Sequence, residues 1–367
     1  LLENAINGIS TMRRGINFNE VWGYTGGIII AQNSTFRNNR RAIEFMEFDG
    51  ANSSFFQSCT FETTTELNDP AIKPAAFVSM WRTKSVEFRG NTFINSAPSG
   101  TFAFDERGIG LFAFDAGFIV EPFCNQLIFP CEEPNHFEGL YRGIDAATGT
   151  ISNGLITIHD NEFEDMFQGV LLTGVEYAEV TDNDFEVRPN VVFNNSNMPY
   201  GLYLDDCTGY VVEGNEFENI ISSNNCVGTF VRNSRDASNF IHSNKYDNLF
   251  SGIIALDDND GDNAGDGLQF TCNKFTSATA TFDMTVLGQF ADGNIGLLQG
   301  LCNSINSPAG NQFSHSCSQV GSDADYYVSK MDAQQIYYFH HTDAITAPQP
   351  GCYNDNYQIS LSKHPMF

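Results

Sequence analysis

The sequence predicts an all-β chain, a solenoid wound as a right-handed parallel β-helix of about ten or more coils with a C-terminal cap. Three observations predict it. An Asn-x-aromatic motif recurs along the chain, a segment of alternating apolar and polar residues precedes it, and a small residue follows several copies at a fixed distance.

The motif stands at Asn91-x-Phe93, Asn135-x-Phe137, Asn161-x-Phe163, Asn183-x-Phe185, Asn215-x-Phe217, Asn244-x-Tyr246, Asn273-x-Phe275 and Asn311-x-Phe313. Phe36 and Phe61 mark variant copies in which Ser34 and Cys59 take the Asn place. Successive aromatics lie between 22 residues (Phe163 to Phe185) and 44 residues (Phe93 to Phe137) apart. A constant core motif at irregular spacing is what insertions at a corner of each coil produce, and no period of 3.6 links the anchors.

Five residues ahead of the aromatic stand Phe56, Phe88, Ile158, Val180, Val212, Ile241 and Phe270, all apolar. Four ahead stand Gln57, Arg89, His159, Thr181, Glu213, His242 and Thr271, all polar. This alternation is a strand of period two with one buried face. Six residues after the aromatic come Ala42, Gly143, Gly169 and Gly252, leading into apolar strands such as Gly169-Val170-Leu171-Leu172. Stacked coils place Phe on Phe and Asn on Asn at an inter-strand spacing of roughly 4.8 Å. An inward Asn amide then bonds along its ladder instead of being buried without partners. The β-helix is expected over residues 1–317, with a Phe-rich, atypical insertion at 94–134. Residues 318–367 lose the anchor and read as a cap or last irregular coil, since an open solenoid end exposes core and unpaired edges.

The Asn-x-Phe turns, with short strands such as Gly201-Leu202-Tyr203-Leu204 and Tyr210-Val211-Val212-Glu213, resemble the right-handed β-helices of the pectin-lyase-like superfamily over about residues 26–317. Asn33-Ser34-Thr35-Phe36-Arg37-Asn38-Asn39-Arg40-Arg41-Ala42 and Pro350-Gly351-Cys352-Tyr353-Asn354 look like stretches of large bacterial proteins of the type IX secretion kind. That resemblance implies a mature or trimmed piece of a larger exported protein.

Asp and Glu number 45 against 18 Lys and Arg, a net charge of -27, which argues against nucleic acid and anionic membranes as partners. No apolar run reaches the length of a membrane span. The expected partners are other domains of the same large protein and surface glycans or proteins, with the chain secreted or at the cell surface. Nine Cys without a Cys-x-x-Cys favour an oxidising compartment. The expected disulfides are Cys124 with Cys131, Cys207 with Cys226, Cys272 with Cys302 and Cys317 with Cys352.

The adjacent pair Asp205-Asp206 resembles the Asp pair of polygalacturonase-like hydrolases and is the best catalytic candidate. That family's Gly-His-Gly turn and Arg-x-Lys segment are not found downstream, and an Asp pair at a strand end is commonly a turn former. Lys and Arg form no basic cluster of the kind a polysaccharide lyase needs as proton abstractor.

The residues flanking the aromatics face outward, and on several successive coils they are acidic. Glu162 and Glu164, Asp184 and Glu186, and Glu216 and Glu218 place six carboxylates on three successive coils. Like charges opposed across strands destabilise, so the stripe calls for a cation, and calcium suits stacked carboxylates. A second calcium candidate is the loop of Asp258, Asp260 and Asp262, although Leu256 stands where the first ligand of a calcium loop belongs. The expectation is therefore a non-catalytic structural or adhesive module, possessing calcium sites at most. The alternative is a polysaccharide lyase or glycoside hydrolase acting along one flank.

Overall fold

The structure, a computed structural model, describes residues 1–6, 8–11, 23–24, 27–47, 53–124, 133–149, 155–188, 198–220, 226–234, 237–262, 266–276, 281–291, 293–300, 309–315, 324–329, 336–340 and 359–363. The fold is the right-handed parallel β-helix that the repeat predicts, and it divides into two units, Leu1–Val175 and Glu176–Phe367.

In the first unit the chain passes through three sheets in turn, and every paired strand is parallel to its neighbour. One sheet stacks Leu2–Glu3, Thr35–Arg37, Thr60–Thr63, Thr92–Asn95, His136–Glu138 and Glu162–Met166. The second stacks Ile30–Gln32, Phe55–Gln57, Val86–Arg89, Phe118–Glu121 and Ile156–His159. The third includes Ile43–Phe45, Ala76–Trp81, Ile109–Phe114, Arg142–Ala147 and Gln168–Thr173. Residues 94–134 thus supply a coil of their own, with the loop residues 125–132 outside the described set.

The second unit repeats the plan. Asp184–Val187, Glu216–Glu218, Lys245–Asp247 and Lys274–Phe275 form one sheet, and Glu179–Thr181, Val211–Glu213, Ser238–His242 and Gly267–Thr271 another. The third runs Tyr200–Asp205, Val227–Arg232, Ser251–Leu256, Phe282–Leu287 and Ala324–Ser329. Leu298–Gln299, Ile336–His340 and Ile359–Lys363 make a further parallel sheet, so parallel pairing continues into the stretch expected to be a cap.

The motif is legible in the backbone. The residue before the Asn is left-handed in every copy of the motif except that of Asn135, which follows Pro134: Asp160 (φ 53), Asp182 (φ 55), Gly214 (φ 70) and Ser243 (φ 56) are examples. Asp and Gly tolerate that conformation best, and it turns the chain sharply from one sheet into the next. The following Asn is buried and bonds along the coil axis. In the second unit the Nδ2 of Asn183 donates to Oδ1 of Asn215 (2.9 Å), that of Asn215 to Asn244 (2.9 Å), that of Asn244 to Asn273 (3.1 Å) and that of Asn273 to Asn311 (3.1 Å). In the first, Asn91 donates to Asn135 and Asn135 to Asn161, each at 2.9 Å. Cys59 keeps the register by donating its backbone N–H to Asn91 Oδ1 at 3.0 Å.

The aromatics stack alongside. Ring centroids of Phe36, Phe61, Phe93, Phe137 and Phe163 follow one another at 4.6, 4.8, 4.7 and 4.8 Å, within 7° of parallel. The small residue six positions on exists for these rings. A Cβ on Gly143 would lie 2.8 Å from Phe163, and one on Gly252 2.4 Å from Phe275.

The Cys207–Cys226 disulfide is corrected. Both are buried thiols, not bonded to each other. Tyr200 pairs with Val227 and Asp205 with Arg232, so Cys226 precedes one end of this strand pair and Cys207 follows the other. Six-residue strands at about 3.3 Å per residue hold them far beyond the roughly 7 Å that a disulfide spans. Cys131, Cys302, Cys317 and Cys352 lie outside the described residues.

Candidate functional site

Two groups of described residues bring three metal-binding atoms within 4.8 Å of one another: His136, Glu162 and Glu164 in the first unit, and Asp283, His315 and Asp325 in the second. Neither contains Asp258, Asp260 or Asp262.

The first group sits on the acidic stripe. His136 opposes Glu162 and Glu138 opposes Glu164 across parallel strands. The imidazole reaches all three carboxylates: Nδ1 is 3.3 Å from Glu162 Oε2, and Nε2 is 3.3 Å from Glu138 and 3.9 Å from Glu164. Period-two alternation brings these side chains to the outer face while Phe137 and Phe163 fill the inner one. His136 occupies the middle of Asn135-x-Phe137, the motif position that Glu162, Asp184 and Glu216 hold on later coils, so the imidazole is readable in sequence from the repeat and not from the acidic pattern.

The second unit has paired carboxylates of its own, Asp184 opposite Glu216 and Glu186 opposite Glu218. They end against a cation, for Lys245 pairs with Glu216 at 2.7 Å, and that bond holds the ammonium above its ordinary pKa. Repulsion among the second unit's carboxylates is thus met in part by the chain's own Lys245.

The loop of Asp258, Asp260 and Asp262 is organised by its neighbours. Asp257 is buried and accepts the N–H groups of Gln289, Phe290 and Ala291 at 2.6, 2.8 and 3.3 Å. Burial alone would raise its carboxyl, but those three donors and the charge of Arg232 outweigh burial and hold it below the usual carboxylate range. Asn259 is buried too, and its Nδ2 donates to the carbonyls of Leu256 and Asp257. Asp258 and Asp262 are exposed.

Asp205 and Asp206 take different parts. Arg232 grips both oxygens of Asp205, with Nε at 2.7 Å and an Nη at 2.6 Å, and this hydrogen bonding raises the guanidinium's pKa. Asp206 is left-handed (φ 57) and donates its backbone N–H to Arg232 O at 2.8 Å, closing the turn after the strand. The outer face of the same sheet carries Tyr203 against Phe230, with centroids 4.7 Å apart. Burial, then the charge of Asp205, pushes the Tyr203 phenol up to about 12.

The second group is interior. Asp283 and Asp325 are buried, and both reach His315 Nδ1. Burial raises the Asp283 carboxyl even against the opposing pull of His315. Asp283 belongs to one coil and His315 and Asp325 to the next, and no local motif contains all three.

Fold and surface together define a parallel β-helix with an outward carboxylate-imidazole cluster and an interior Asp-His-Asp cluster. Residues 134–285 match the family described as periplasmic copper-binding protein (NosD), so this part of the chain is similar to that family. No curated protein and no solved structure matches the chain. Among the described residues no helix is long and apolar enough to cross a membrane.

Proposed function

We propose that the chain is a non-catalytic β-helical module of an exported protein, secreted or held at the cell surface, serving adhesion, an appendage or a spacer within a larger polypeptide. The observation that carries this reading is the clamp on Asp205. A carboxylate gripped at both oxygens by a guanidinium is poorly placed to take or give a proton, and its neighbour Asp206 is spent on a turn. The periplasmic character of the matched family supports export. Cys124 and Cys272, which are held as half-cystines, support an oxidising compartment.

The test is a screen of acidic and neutral polysaccharides for new reducing ends and for the ultraviolet absorbance of unsaturated products. No turnover is expected. Turnover abolished by Asp205→Ala would establish the polysaccharide-active alternative instead.

A second reading has an observation of its own. One imidazole among carboxylates favours a divalent transition ion over calcium, which prefers an all-oxygen shell. The His136, Glu162 and Glu164 side chains fit Cu(II), the oxidised form of the metal named for the matched family, better than Cu(I), which prefers sulfur. Isothermal titration with Cu(II) and with calcium tests this reading: His136→Gln should abolish Cu(II) binding at the flank, and equal binding by both chains overturns it.

A further inference from the structure

We propose that Asp283, His315 and Asp325 form a structural metal centre inside the second unit, taking one divalent first-row transition ion of the zinc class through one imidazole nitrogen and two carboxylate oxygens. The site is separate from the flank cluster and does not depend on it.

The first argument is placement. Register puts Gly201, Gly228, Gly252, Asp283 and Asp325 in a single column across five neighbouring strands. The glycines are there because nothing larger fits: an added Cβ would stand 2.4 Å from Phe217, 2.5 Å from Tyr246 and 2.4 Å from Phe275. Where the column changes from glycine to aspartate the aromatic stack opens. Phe217 to Tyr246 and Tyr246 to Phe275 are 5.0 and 5.1 Å, but Phe275 to Phe313 is 6.2 Å. The core gives up ring contact to admit two carboxyl groups, facing each other on adjacent strands with side chains 0% exposed. Two buried like charges in opposition are costly without a compensating cation.

The second argument is donor geometry. His315 Nδ1 lies 3.0 Å from Asp325 Oδ1 and 3.6 Å from Asp283 Oδ2. A tetrahedral ion with bonds of about 2.0–2.1 Å separates its ligands by roughly 3.3–3.4 Å, between those two values. Two oxygens converge on one ring nitrogen, whose single proton serves only one acceptor well, whereas a metal ion serves both. Two carboxylates and a neutral imidazole around a divalent ion leave the interior with no net charge.

The third argument is support. Ser314 donates its N–H to Asp283 Oδ2 and its Oγ–H to Asp283 Oδ1, both at 2.7 Å, and His315 N–H donates to Asp325 Oδ1 at 3.2 Å. Such bonds orient ligating carboxylates and hold them in their charged form. The ion would tie Phe282–Leu287, Ala324–Ser329 and the turn after Phe313 into one cross-linked piece.

The experiment uses the full chain, free of affinity tags, carrying His136→Gln so that the flank cannot contribute. After chelator stripping and zinc reloading, one equivalent should survive gel filtration, and Co(II) in its place should give visible d–d absorption. His315→Gln in that background should lose the equivalent, and Ser314→Ala should weaken affinity about 10–100-fold. No stoichiometric zinc in the His136→Gln chain, or full retention after His315→Gln, overturns the proposal. Should His315→Gln fail to fold, X-ray absorption of the zinc-loaded His136→Gln chain decides: one imidazole among oxygen neighbours supports the centre, and no imidazole scattering overturns it.

Discussion

Replacing Asn215 with Ala is the most direct test of what holds the coils in register. The Asn215 amide donates to Val180 O (2.9 Å), Glu213 O (3.2 Å) and Asn244 Oδ1 (2.9 Å), and its own Oδ1 accepts the backbone N–H of Asn183 at 3.0 Å. Asn215 is fully buried, so water does not stand in when the side chain is removed. A buried polar group stripped of its partner costs about 1–3 kcal/mol; the Asn183 N–H is stripped, and the ladder loses its rungs to Asn183 and Asn244. The expected loss is about 2–3 kcal/mol. The control, Glu216→Ala, removes only the exposed pair with Lys245 and should cost less than about 1 kcal/mol. Denaturant unfolding should be read together with native-state hydrogen exchange, since a solenoid can open coil by coil and one global midpoint can hide a local loss. Protection should fall first around 180–183 and 213–217. If Asn215→Ala matches the Glu216→Ala control, the amide ladder is not what the fold rests on.

The Gly252→Ala variant should be destabilised by about 1–3 kcal/mol from overpacking, because its Cβ meets Phe275 at 2.4 Å and Asp283 O at 2.9 Å; a thermal melt unchanged from wild type would contradict this. The Asp257 carboxyl, held below its unfolded pKa, contributes stability present above the unfolded pKa and lost as pH falls through the folded value. Acid titration followed by exchange at Gln289–Ala291 should therefore show that segment loosening below the usual carboxylate range, and Asp257→Asn should flatten the dependence. Burial pushes the Cys226 thiol up to about 12, so a thiol reagent at pH 8 should label Cys207 and Cys226 only on unfolding, and both should label without prior reduction.

The interior of this protein is readable because it is periodic. Asn-x-Phe declares a turn, a ladder and a ring stack in three letters, and the αL residue ahead of it, usually Asp, Gly or Ser, is written just as openly. The interior cluster is hidden because periodicity fails there. Gly252 follows Tyr246 by six residues, but Asp283 follows Phe275 by eight and Asp325 follows Phe313 by twelve, so insertions hide that these three share one column position. Cys207 and Cys226 misled for a related reason. They are close in sequence, but a strand pair separates them by its full length. His136 was in plain view; the acidic pattern around it drew attention to charge of one sign only.

The Asn column also has a direction. Every amide from Asn183 to Asn273 hands its hydrogen to the next coil, and the last, Asn311, hands its own to the Tyr338 hydroxyl at 3.2 Å. Each step presents to its successor what it received from its predecessor, so the interior carries no record of how many coils precede a given one. A gene segment encoding one whole coil can be duplicated or lost without changing the rule by which its neighbours join. Length is therefore a variable that selection can adjust in units of a coil, while the tyrosine marks where counting stops.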